Sequence, residues 1–471
     1  MGQEIADSHF TAADFAEFSE RLARETQLLG EWLEQGAFSE GEHVGGFELE
    51  AWLVDRESRP APLNRPLLDA LNNPLVVPEL ARFNLEINGS PQRLEGKALS
   101  RLADELSTTW GECNQAAAGL GTRLAMIGIL PTVEERDLTG DNMSRLQRYL
   151  ALDEQLAHLR GGSPLHMDIS GHERLSFQHD DVMLESATTS FQIHLKVNAN
   201  QAGRFYNSAK ILSAPMVGLS ANSPYLFGFE LWDETRIPLF EQAIRVGDSN
   251  FTKRVTLGVR YVDTIFDCFQ ANLERYPVLL PQLMQEPERL LPHLRLHNGT
   301  IWRWNRPLVG FDQRGVPHIR IEHRVVPAGP SVADSIANTA LYFGAVCALA
   351  GQAVPAEQRL SFPQARKNFY QSARHGLEAP VEWLDGERGR LDELCRERLL
   401  PLARDGLAAL GIDRQESDYW LGIIAGRLKS GQNGATWQRA WVRRHGHDMA
   451  ALTEAYLERQ QSGRPVHEWT L

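Results

Sequence analysis

Cysteine is scarce in this chain of 471 residues, which contains only four. They are Cys113, Cys268, Cys347 and Cys395, with no Cys-x-x-Cys pair and no histidine at zinc-finger spacing. Thiols so few and so widely spaced exclude a disulfide-stapled secreted scaffold and a structural zinc finger. We therefore predict reduced thiols in a cytoplasmic protein, with mostly structural roles.

Long apolar runs are also missing. The most apolar segment, Ala340 to Ala350, falls well short of the roughly 20 residues that a membrane-spanning helix needs. The start, Met1 to Phe10, has no basic region followed by an apolar run, so no secretory signal is visible. The sequence predicts a soluble protein with no membrane partner.

Positive charge is in deficit, because 48 lysines and arginines face 61 aspartates and glutamates, for a formal net charge of -13. This balance excludes a general nucleic-acid binder, since phosphate backbones favour clustered basic residues. Phosphate-binding loops are missing as well: there is no Gly-Lys-Ser/Thr motif, and Gly119-Leu120-Gly121 lacks the rest of a dinucleotide fingerprint. A small anionic substrate would then depend on local basic residues or on metal ions.

What the chain does contain is a set of segments in which polar and apolar residues alternate, as in a β-strand with one buried face. In Gly46 to Val54, Glu48 and Glu50 share a face opposite Phe47 and Leu49. Two neighbouring carboxylates resist joint ionisation, and a bound cation relieves this most simply. For one such strand alone, two solvated glutamates are the more common explanation.

Three later segments repeat the pattern and place further polar groups opposite an apolar face. They are Phe83 to Asn88 with Glu86, Ser190 to Val197 with Gln192 and His194, and His318 to Val326 with Glu322 and Arg324. Four such strands favour a sheet that packs outward on helices and lines a polar cavity inward. Oxygen ligands outnumber nitrogen ligands, so we predict Mg²⁺ or Mn²⁺ rather than zinc. Divalent ions beside arginines suit phosphoryl transfer from ATP.

Much of the remaining chain shows helical spacing of apolar residues. The first predicted helix runs from Thr11, placed to cap it, to Gly36, placed to stop it. Further helices are predicted over Leu99 to Leu120, Ser144 to Arg160, Ala202 to Leu219, Ser331 to Ala350, Pro363 to His375, Arg388 to Leu410, Tyr419 to Lys429 and Met449 to Gln461. We predict an N-terminal helical segment over 1–40, a catalytic α+β domain over 41–350 and a helical C-terminal region over 351–471.

Several other features have a plain structural explanation. Leu124 to Leu130 and Thr300 to Pro307 are predicted strands, and Trp302 and Trp304 on the second are predicted to pack rather than to stack on adenine. His445-Gly446-His447-Asp448 lies in an arginine-rich stretch and is predicted to be surface. His293 and His297 have helical spacing without a glutamate base between them, which disfavours a zinc protease.

The motifs on the alternating strands resemble those of a known family. In order they are Phe47-Glu48-Leu49-Glu50, Asn84-Leu85-Glu86, Ser190-Phe191-Gln192-Ile193-His194, Ser220-Ala221-Asn222-Ser223-Pro224 followed by Arg236, and Ile321-Glu322-His323-Arg324. This order is similar to that of the glutamate-cysteine ligases of family 2. The related carboxylate-amine ligases are also similar over Asn368 to Leu377. The resemblance covers Gly46 to Gln461, and its specific part is the order of the motifs.

The resemblance implies a glutamine-synthetase-like catalytic fold, in which a curved antiparallel β-sheet lines the active site and helices pack outside. It also implies a reaction in which ATP phosphorylates the side-chain carboxylate of glutamate and the amine of cysteine, or a related amine, attacks the acyl phosphate. By position, the metal ligands would be Glu48, Glu50, Glu86 and Glu322. The implied catalytic residues are Arg324 and Arg236, and the implied contacts to nucleotide or metal are Gln192, His194, Arg306 and Arg374.

One position departs from the family pattern. Many carboxylate-amine ligases have a His-x-His strand, whereas Gln192 stands at the first histidine position, as in the plant-like glutamate-cysteine ligases, and His194 stands where those carry asparagine. The amine acceptor, the number of metal ions and the oligomeric state, a homo-oligomer included, stay open. Two rival functions also stay open: a divalent-metal enzyme that acts on a small acid without ATP, and a catalytically silent relative that binds nucleotide or a partner protein.

Overall fold

The computed structural model describes residues 4–247 and 253–471. Its strands, in chain order, are β1 Val44–Val54, β2 Val76–Pro78, β3 Asn84–Asn88, β4 Gln92–Arg93, β5 Arg123–Ala125, β6 Leu165–Ser170, β7 Arg174–His179, β8 Phe191–Val197, β9 Tyr225–Leu226, β10 Phe229–Glu230, β11 Asn305–Phe311, β12 Pro317–His323, β13 Pro380–Glu382 and β14 Arg388–Arg390. Its α-helices are α1 Ala12–Gln35, α2 Asn64–Leu71, α3 Ala98–Gly119, α4 Gln147–Leu159, α5 Ala202–Ser220, α6 Arg236–Ala243, α7 Phe266–Arg275, α8 Pro292–Gly299, α9 Val332–Ala350, α10 Ala356–Arg359, α11 Phe362–His375, α12 Leu391–Leu394, α13 Leu400–Ala409, α14 Arg414–Ser430, α15 Gly434–His445 and α16 Met449–Gln461.

One large sheet organises the molecule, with strand order β11-β12-β8-β1-β3-β2 and with β4 and β5 also paired to β1. Neighbouring strands in this sheet run antiparallel. Its apolar face includes Leu49, Ile193 and Ile321, which are fully buried, and α5 and α9 pack against the sheet and against each other. The predicted α+β class with an antiparallel sheet and helices outside is confirmed, and the opposite face of the sheet is polar.

Helix α1 begins and ends where the sequence predicts. The Thr11 side chain accepts a hydrogen bond from the Asp14 N–H while the Asp14 carboxylate accepts one from the Thr11 N–H, which satisfies two donors that a helix start leaves open. Gly36 follows the last turn with φ 67, a conformation that glycine adopts without strain. In the middle of the helix, Glu25 accepts hydrogen bonds from the Leu294 N–H at 2.8 Å and pairs with the His293 ring at 2.6 Å. These buried bonds attach the N-terminal segment to α8.

Helices α9 and α13 approach closely at two glycines. A Cβ atom added to Gly406 would overlap the backbone carbonyl of Gly344, so the contact requires the absence of side chains. Helix α9 is long and apolar enough, by length and composition alone, to cross a membrane, and 78% of its most apolar window is buried inside the protein. This helix extends well beyond the apolar run that begins at Ala340. The domain boundaries at residues 40 and 350 stay a prediction.

Several predicted elements differ from the structure in their bounds, among them the strand over His318 to Val326, which ends at His323, and the helix from Tyr419, which begins at Arg414. The strand over Leu124 to Leu130 ends at Ala125, because side chains rather than a neighbouring strand take up the carbonyls that follow: the Tyr456 hydroxyl and the Gln460 amide both donate to the Met126 carbonyl. The predicted strand from Thr300 begins only at Asn305 and continues to Phe311. The predicted helix from Arg388 begins instead with β14, which pairs with β13, and becomes helical at Leu391.

Candidate active site

The register of the sheet aligns the predicted site residues across its polar face. Directly opposed residues on one face of an antiparallel pair lie with their Cβ atoms roughly 4.5–5.5 Å apart. The opposed pairs are Arg306 with Glu322, Glu322 with His194, Gln192 with Glu48, and Glu50 with Glu86. Residues separated by up to 144 positions in the chain, as Glu48 and Gln192 are, thereby become direct neighbours, and the period-two pattern of each strand keeps them on the same side.

This polar face forms one wall of a cavity of about 330 Å³. Seven of the ten predicted site residues line it, namely Glu48, Glu50, Glu86, Gln192, Arg306, Glu322 and Arg324. The rest of the lining comes from β11 and β12 themselves, through Leu308, Val309 and Arg320, and from other parts of the chain, chiefly through Glu79, Leu80, Arg148, Tyr149, Leu152, Val182, Glu185, Glu286, Arg295 and Trp302. The cavity therefore combines many ionisable groups with a partly apolar lining.

Glu48, His194 and Glu322 form a first cluster of candidate metal ligands. One ligand atom from each lies within 4.8 Å of the others. The His194 Nε2 atom is 3.3 Å from the Glu48 carboxylate and 3.8 Å from that of Glu322, and it is buried without a hydrogen-bond partner among the described residues. A buried imidazole nitrogen left between two carboxylates fits a site for a divalent cation.

Glu50, Glu79 and Glu86 form a second cluster, again with one oxygen from each within 4.8 Å. Burial and the nearby Glu79 raise the pKa of Glu50 to about 7. Burial and Glu48 raise the pKa of Glu86 well above its usual range. Glu50 and Glu86 therefore resist ionisation together, which is the situation that a bound cation relieves.

Arginines balance the carboxylate of Glu322 on the same polar face, next to β11 and β12. Arg306 donates two hydrogen bonds to Glu322, at 2.7 and 3.0 Å, and Arg324 donates a third at 3.2 Å. Burial opposes ionisation of Glu322, but Arg306 and Arg324 hold its pKa well below the usual range. Arg324 also donates to Gln192, whose amide donates to Glu50 at 2.8 Å. A continuous network thus joins the two clusters.

Two predicted arginines do not line the cavity. Arg236 lies behind its wall, where its guanidinium donates to Glu234 at 3.0 Å and to the backbone carbonyls of Arg324 and Val325. The predicted motif Ser220 to Pro224 packs there too, since the Asn222 N–H donates to Glu234 and the Arg236 N–H to the Ser223 hydroxyl. Spacing along the sequence does not reveal this orientation, because Arg236 opens a helix.

Arg374 lies outside the cavity at the end of α11. It is exposed, and its guanidinium is 5.9 Å from the centre of the Trp232 ring. Trp302 lines the cavity, whereas Trp304 is fully buried and donates from its indole to Glu241 at 2.8 Å. His447, from the predicted surface histidines, contacts the Gly228 carbonyl at 2.7 Å.

Sequence reasoning missed several lining residues. Glu79 follows the short strand β2, and its carboxylate accepts a hydrogen bond from the Tyr149 hydroxyl at 3.3 Å. Glu185 lies on a 3₁₀ turn, Val182–Ala187, and burial with Glu79 nearby raises its pKa well above the usual range. Pro78, which ends an apolar run just before Glu79, was the only available signal for that residue. A carboxylate on an irregular turn leaves no periodic signal.

The two ends of the cavity differ in charge. At the end next to β2, the lining carboxylates are Glu50, Glu79, Glu86 and Glu185, and we name this the acidic end. At the end next to β11, the lining includes three arginines, Arg295, Arg306 and Arg320, beside two carboxylates, Glu286 and Glu322, and we name this the basic end. The Nε atoms of Arg320 and Arg324 are buried and have no hydrogen-bond partner in the described part of the chain. The basic end therefore offers donors to an anion.

Comparisons with known proteins bear on this geometry. A family model described as glutamate-cysteine ligase family 2 matches residues 44–458. No curated protein matches the chain. The solved glutamate-cysteine ligase from Francisella tularensis, in complex with AMP, is similar over 90% of both chains with 12% identity and a TM-score of 0.55. A bifunctional glutathione synthetase from Pasteurella multocida is similar over 92% of this chain and 55% of its own, with 10% identity and a TM-score of 0.48.

The likeness to the Francisella enzyme concerns the fold, since so low an identity leaves individual contacts undetermined. It confirms the predicted fold class, a curved antiparallel sheet with helices packed outside. The family match, which spans all four alternating strands and most of the helices that follow, concerns the reaction class. On that match the chain belongs to glutamate-cysteine ligase family 2, a family of ATP-dependent carboxylate-amine ligases.

Proposed function

We propose that this protein joins the γ-carboxylate of glutamate to an amine, with Mg²⁺ or Mn²⁺ and ATP, through an acyl phosphate. The observation that carries the proposal is the cavity itself, where two carboxylate clusters adjoin a basic end. Phosphoryl transfer requires charge neutralisation and positioning more than covalent help from the protein, and this cavity contains the groups for both. A complete set of such groups disfavours a catalytically silent relative.

The first proposed role is metal binding. Glu48, His194 and Glu322 would hold one divalent ion, and Glu50, Glu79 and Glu86 another. The residues fit such ions because the ligands are mostly carboxylate oxygens and because the His194 Nε2 atom is buried with no hydrogen-bond partner among the described residues. When bound, these ions neutralise phosphate charge during transfer. Glu79 thus extends the ligand set expected from the sequence.

The second proposed role is binding of the transferred phosphoryl group. Arg324 lies between the clusters, held by Glu322 and Gln192, and its buried Nε is still available as a donor. We assign Arg324 to binding of the phosphoryl group or the glutamate carboxylate, and Arg306 to binding of the nucleotide. Arg236 does not touch substrate in this scheme. It positions Arg324 by holding the carbonyls of Arg324 and Val325.

The reaction balances in two steps. The γ-carboxylate of glutamate forms a bond to the terminal phosphorus of ATP, and the bond from that phosphorus to the bridging oxygen breaks, which releases ADP. The amine nitrogen then bonds to the acyl carbon, and the carbon–oxygen bond to phosphate breaks. Inorganic phosphate and one proton leave, and a γ-glutamyl amide remains.

A coupled assay tests this proposal. Purified protein with ATP, Mg²⁺ and glutamate is screened against a panel of amines for ADP release, and the product is identified by mass spectrometry. We expect ADP release that requires both glutamate and an amine. Glu86→Gln should abolish it, because the change removes one charge of the second cluster, while the exposed Glu57→Gln serves as the matched control. Failure of every amine to stimulate ADP release would contradict the proposal.

A further inference from the structure

One member of the second carboxylate cluster does not stand on a strand. Glu79 follows β2 in a loop, whereas Glu50 and Glu86 lie within β1 and β3 and face each other across the sheet. A carboxylate outside a strand depends more on hydrogen bonds from its neighbours for its orientation. The groups that bond to Glu79 therefore decide how precisely this cluster can hold an ion.

The Oε2 atom of Glu79 accepts two hydrogen bonds. One comes from the Leu80 N–H at 2.9 Å, and the other comes from the Tyr149 hydroxyl at 3.3 Å. The first is a local bond to the next residue, whereas the second comes from helix α4, 70 positions further along the chain. Both bonds end on the same oxygen, so neither competes with an ion for the lone pairs of Oε1.

Arg148 sets the direction of the bond from Tyr149. Its guanidinium donates to the Tyr149 hydroxyl at 2.7 Å, and its Nε atom lies 3.7 Å from the Glu4 carboxylate. A guanidinium has only donors, so it occupies a lone pair of the hydroxyl oxygen and cannot accept the hydroxyl proton. That single proton is therefore directed at Glu79. Tyr149 is buried, which limits competition from water for this bond.

We propose that Tyr149 is a positioning residue, whose hydroxyl holds the Glu79 carboxylate in the orientation that binds the second divalent ion. This inference rests on the proposed function, which assigns that ion to Glu50, Glu79 and Glu86. Hydrogen-bond partners of metal ligands orient those ligands, and their loss typically lowers metal affinity by about ten-fold to one hundred-fold. Tyr149 acts through Glu79 and contacts neither the ion nor the reacting atoms.

Replacing Tyr149 by phenylalanine removes the hydroxyl and keeps the ring. Mn²⁺ is titrated into the full-length protein without nucleotide, and isothermal titration calorimetry gives the dissociation constants. We expect Tyr149→Phe to weaken the binding of one ion by about ten-fold and to leave the other ion unchanged. In the assay of ADP release, the KM for Mg²⁺ should rise by a similar factor, while kcat at saturating Mg²⁺ stays near the wild-type value.

Two comparisons separate positioning from a general loss of stability. Tyr370→Phe is the matched control, because the Tyr370 hydroxyl donates to Glu241 at 2.9 Å and neither residue is among those that line the cavity. It should leave Mn²⁺ binding unchanged. In a Glu79→Gln background, Tyr149→Phe should have little further effect on Mn²⁺ binding, because the effects of two residues that act as a unit are not additive.

A second variant and thermal unfolding keep the outcomes apart. Arg148→Met should weaken the same ion, because the hydroxyl proton of Tyr149 is then free to turn away from Glu79, and thermal unfolding shows whether each variant is folded. If Tyr149→Phe binds Mn²⁺ as the wild type does, or weakens binding equally with and without Glu79, the inference is wrong and the ligase function stands. If the wild type binds no Mn²⁺ and releases no ADP, the proposed function is wrong and the inference falls with it.

Discussion

Replacing Glu50 by glutamine distinguishes a metal-binding role from a structural one, because the two side chains share a shape and differ in charge. The Glu50 carboxylate accepts hydrogen bonds from the Ser190 N–H at 2.6 Å and from the Gln192 amide at 2.8 Å. A glutamine can keep only one of these, since its NH₂ group would face the NH₂ group of Gln192. The lost bond should lower the free energy of unfolding by about 1 kcal/mol.

At higher pH, the loss of the Glu50 charge should instead stabilise the metal-free variant relative to the wild type. Glu50 has a pKa of about 7 in the folded protein against a usual value of 4.5, because of burial and the repulsion of Glu79. The folded state therefore holds the proton more tightly, so metal-free stability falls as pH rises from about 4.5 through 7. This fall in the free energy of unfolding is at most about 3 kcal/mol, and screening by water in the cavity reduces it to about 1–2 kcal/mol. The Glu50→Gln variant does not undergo this fall, so its metal-free stability should match or exceed that of the wild type at about pH 8.5.

Divalent ions should make the wild type more stable than Glu50→Gln at the same pH. A ligand at about one hundred times its dissociation constant stabilises the folded state by about 2.7 kcal/mol, and Glu50→Gln should gain much less because its cluster has lost a charge. Urea unfolding in chelator measures the metal-free stability, and urea unfolding in Mg²⁺ measures the stabilisation by the ion. The Glu50→Gln variant should also release no ADP in the coupled assay. If Glu50→Gln loses more than about 3 kcal/mol in chelator, or gains as much from Mg²⁺ as the wild type, Glu50 is structural and the metal assignment fails.

Three further predictions concern the stability of the folded protein. Arg306→Leu should destabilise by about 3 kcal/mol in urea unfolding, because it leaves the buried Glu322 with only part of its compensating charge; an unchanged midpoint would contradict the buried pair. Burial lowers the pKa of Lys210 to about 7, so the unfolded state binds more protons above that pH, and wild-type stability should rise between about pH 7 and 9. Lys210→Met should flatten that rise, and an identical slope in both proteins would refute it. Gly406→Ala should destabilise by about 3 kcal/mol through overlap with Gly344, whereas Gly422→Ala, with open space around it, should be neutral or stabilising; equal effects would exclude the close helix contact.

The strands of the site could be predicted because each carries its own signal. Glu48, Glu50, Glu86 and Glu322 alternate with apolar residues, and burying the apolar side forces the polar side to face the cavity. The register then places them opposite each other. The pattern could not predict the register, that is, which residue lies opposite which on the neighbouring strand. Pairing between strands far apart in the chain depends on the whole sheet.

Other parts of the site could not be predicted, for physical reasons. Glu185 lies on a 3₁₀ turn and Tyr149 on helix α4, so neither belongs to a strand whose period marks the cavity side. Arg236 was predicted to face substrate, but its helix directs the guanidinium at two backbone carbonyls. Orientation of a side chain at a helix start is set by tertiary contacts that spacing does not encode.

The most direct test of the proposed reaction follows the oxygen atoms. Glutamate labelled with oxygen-18 in its γ-carboxylate is incubated with the protein, ATP, Mg²⁺ and the best acceptor, and the inorganic phosphate is examined by mass spectrometry. Formation of an acyl phosphate predicts that each phosphate released carries one labelled oxygen from glutamate. Unlabelled phosphate formed alongside the amide would contradict the acyl-phosphate route and with it the roles assigned to Glu50, Glu322 and Arg324.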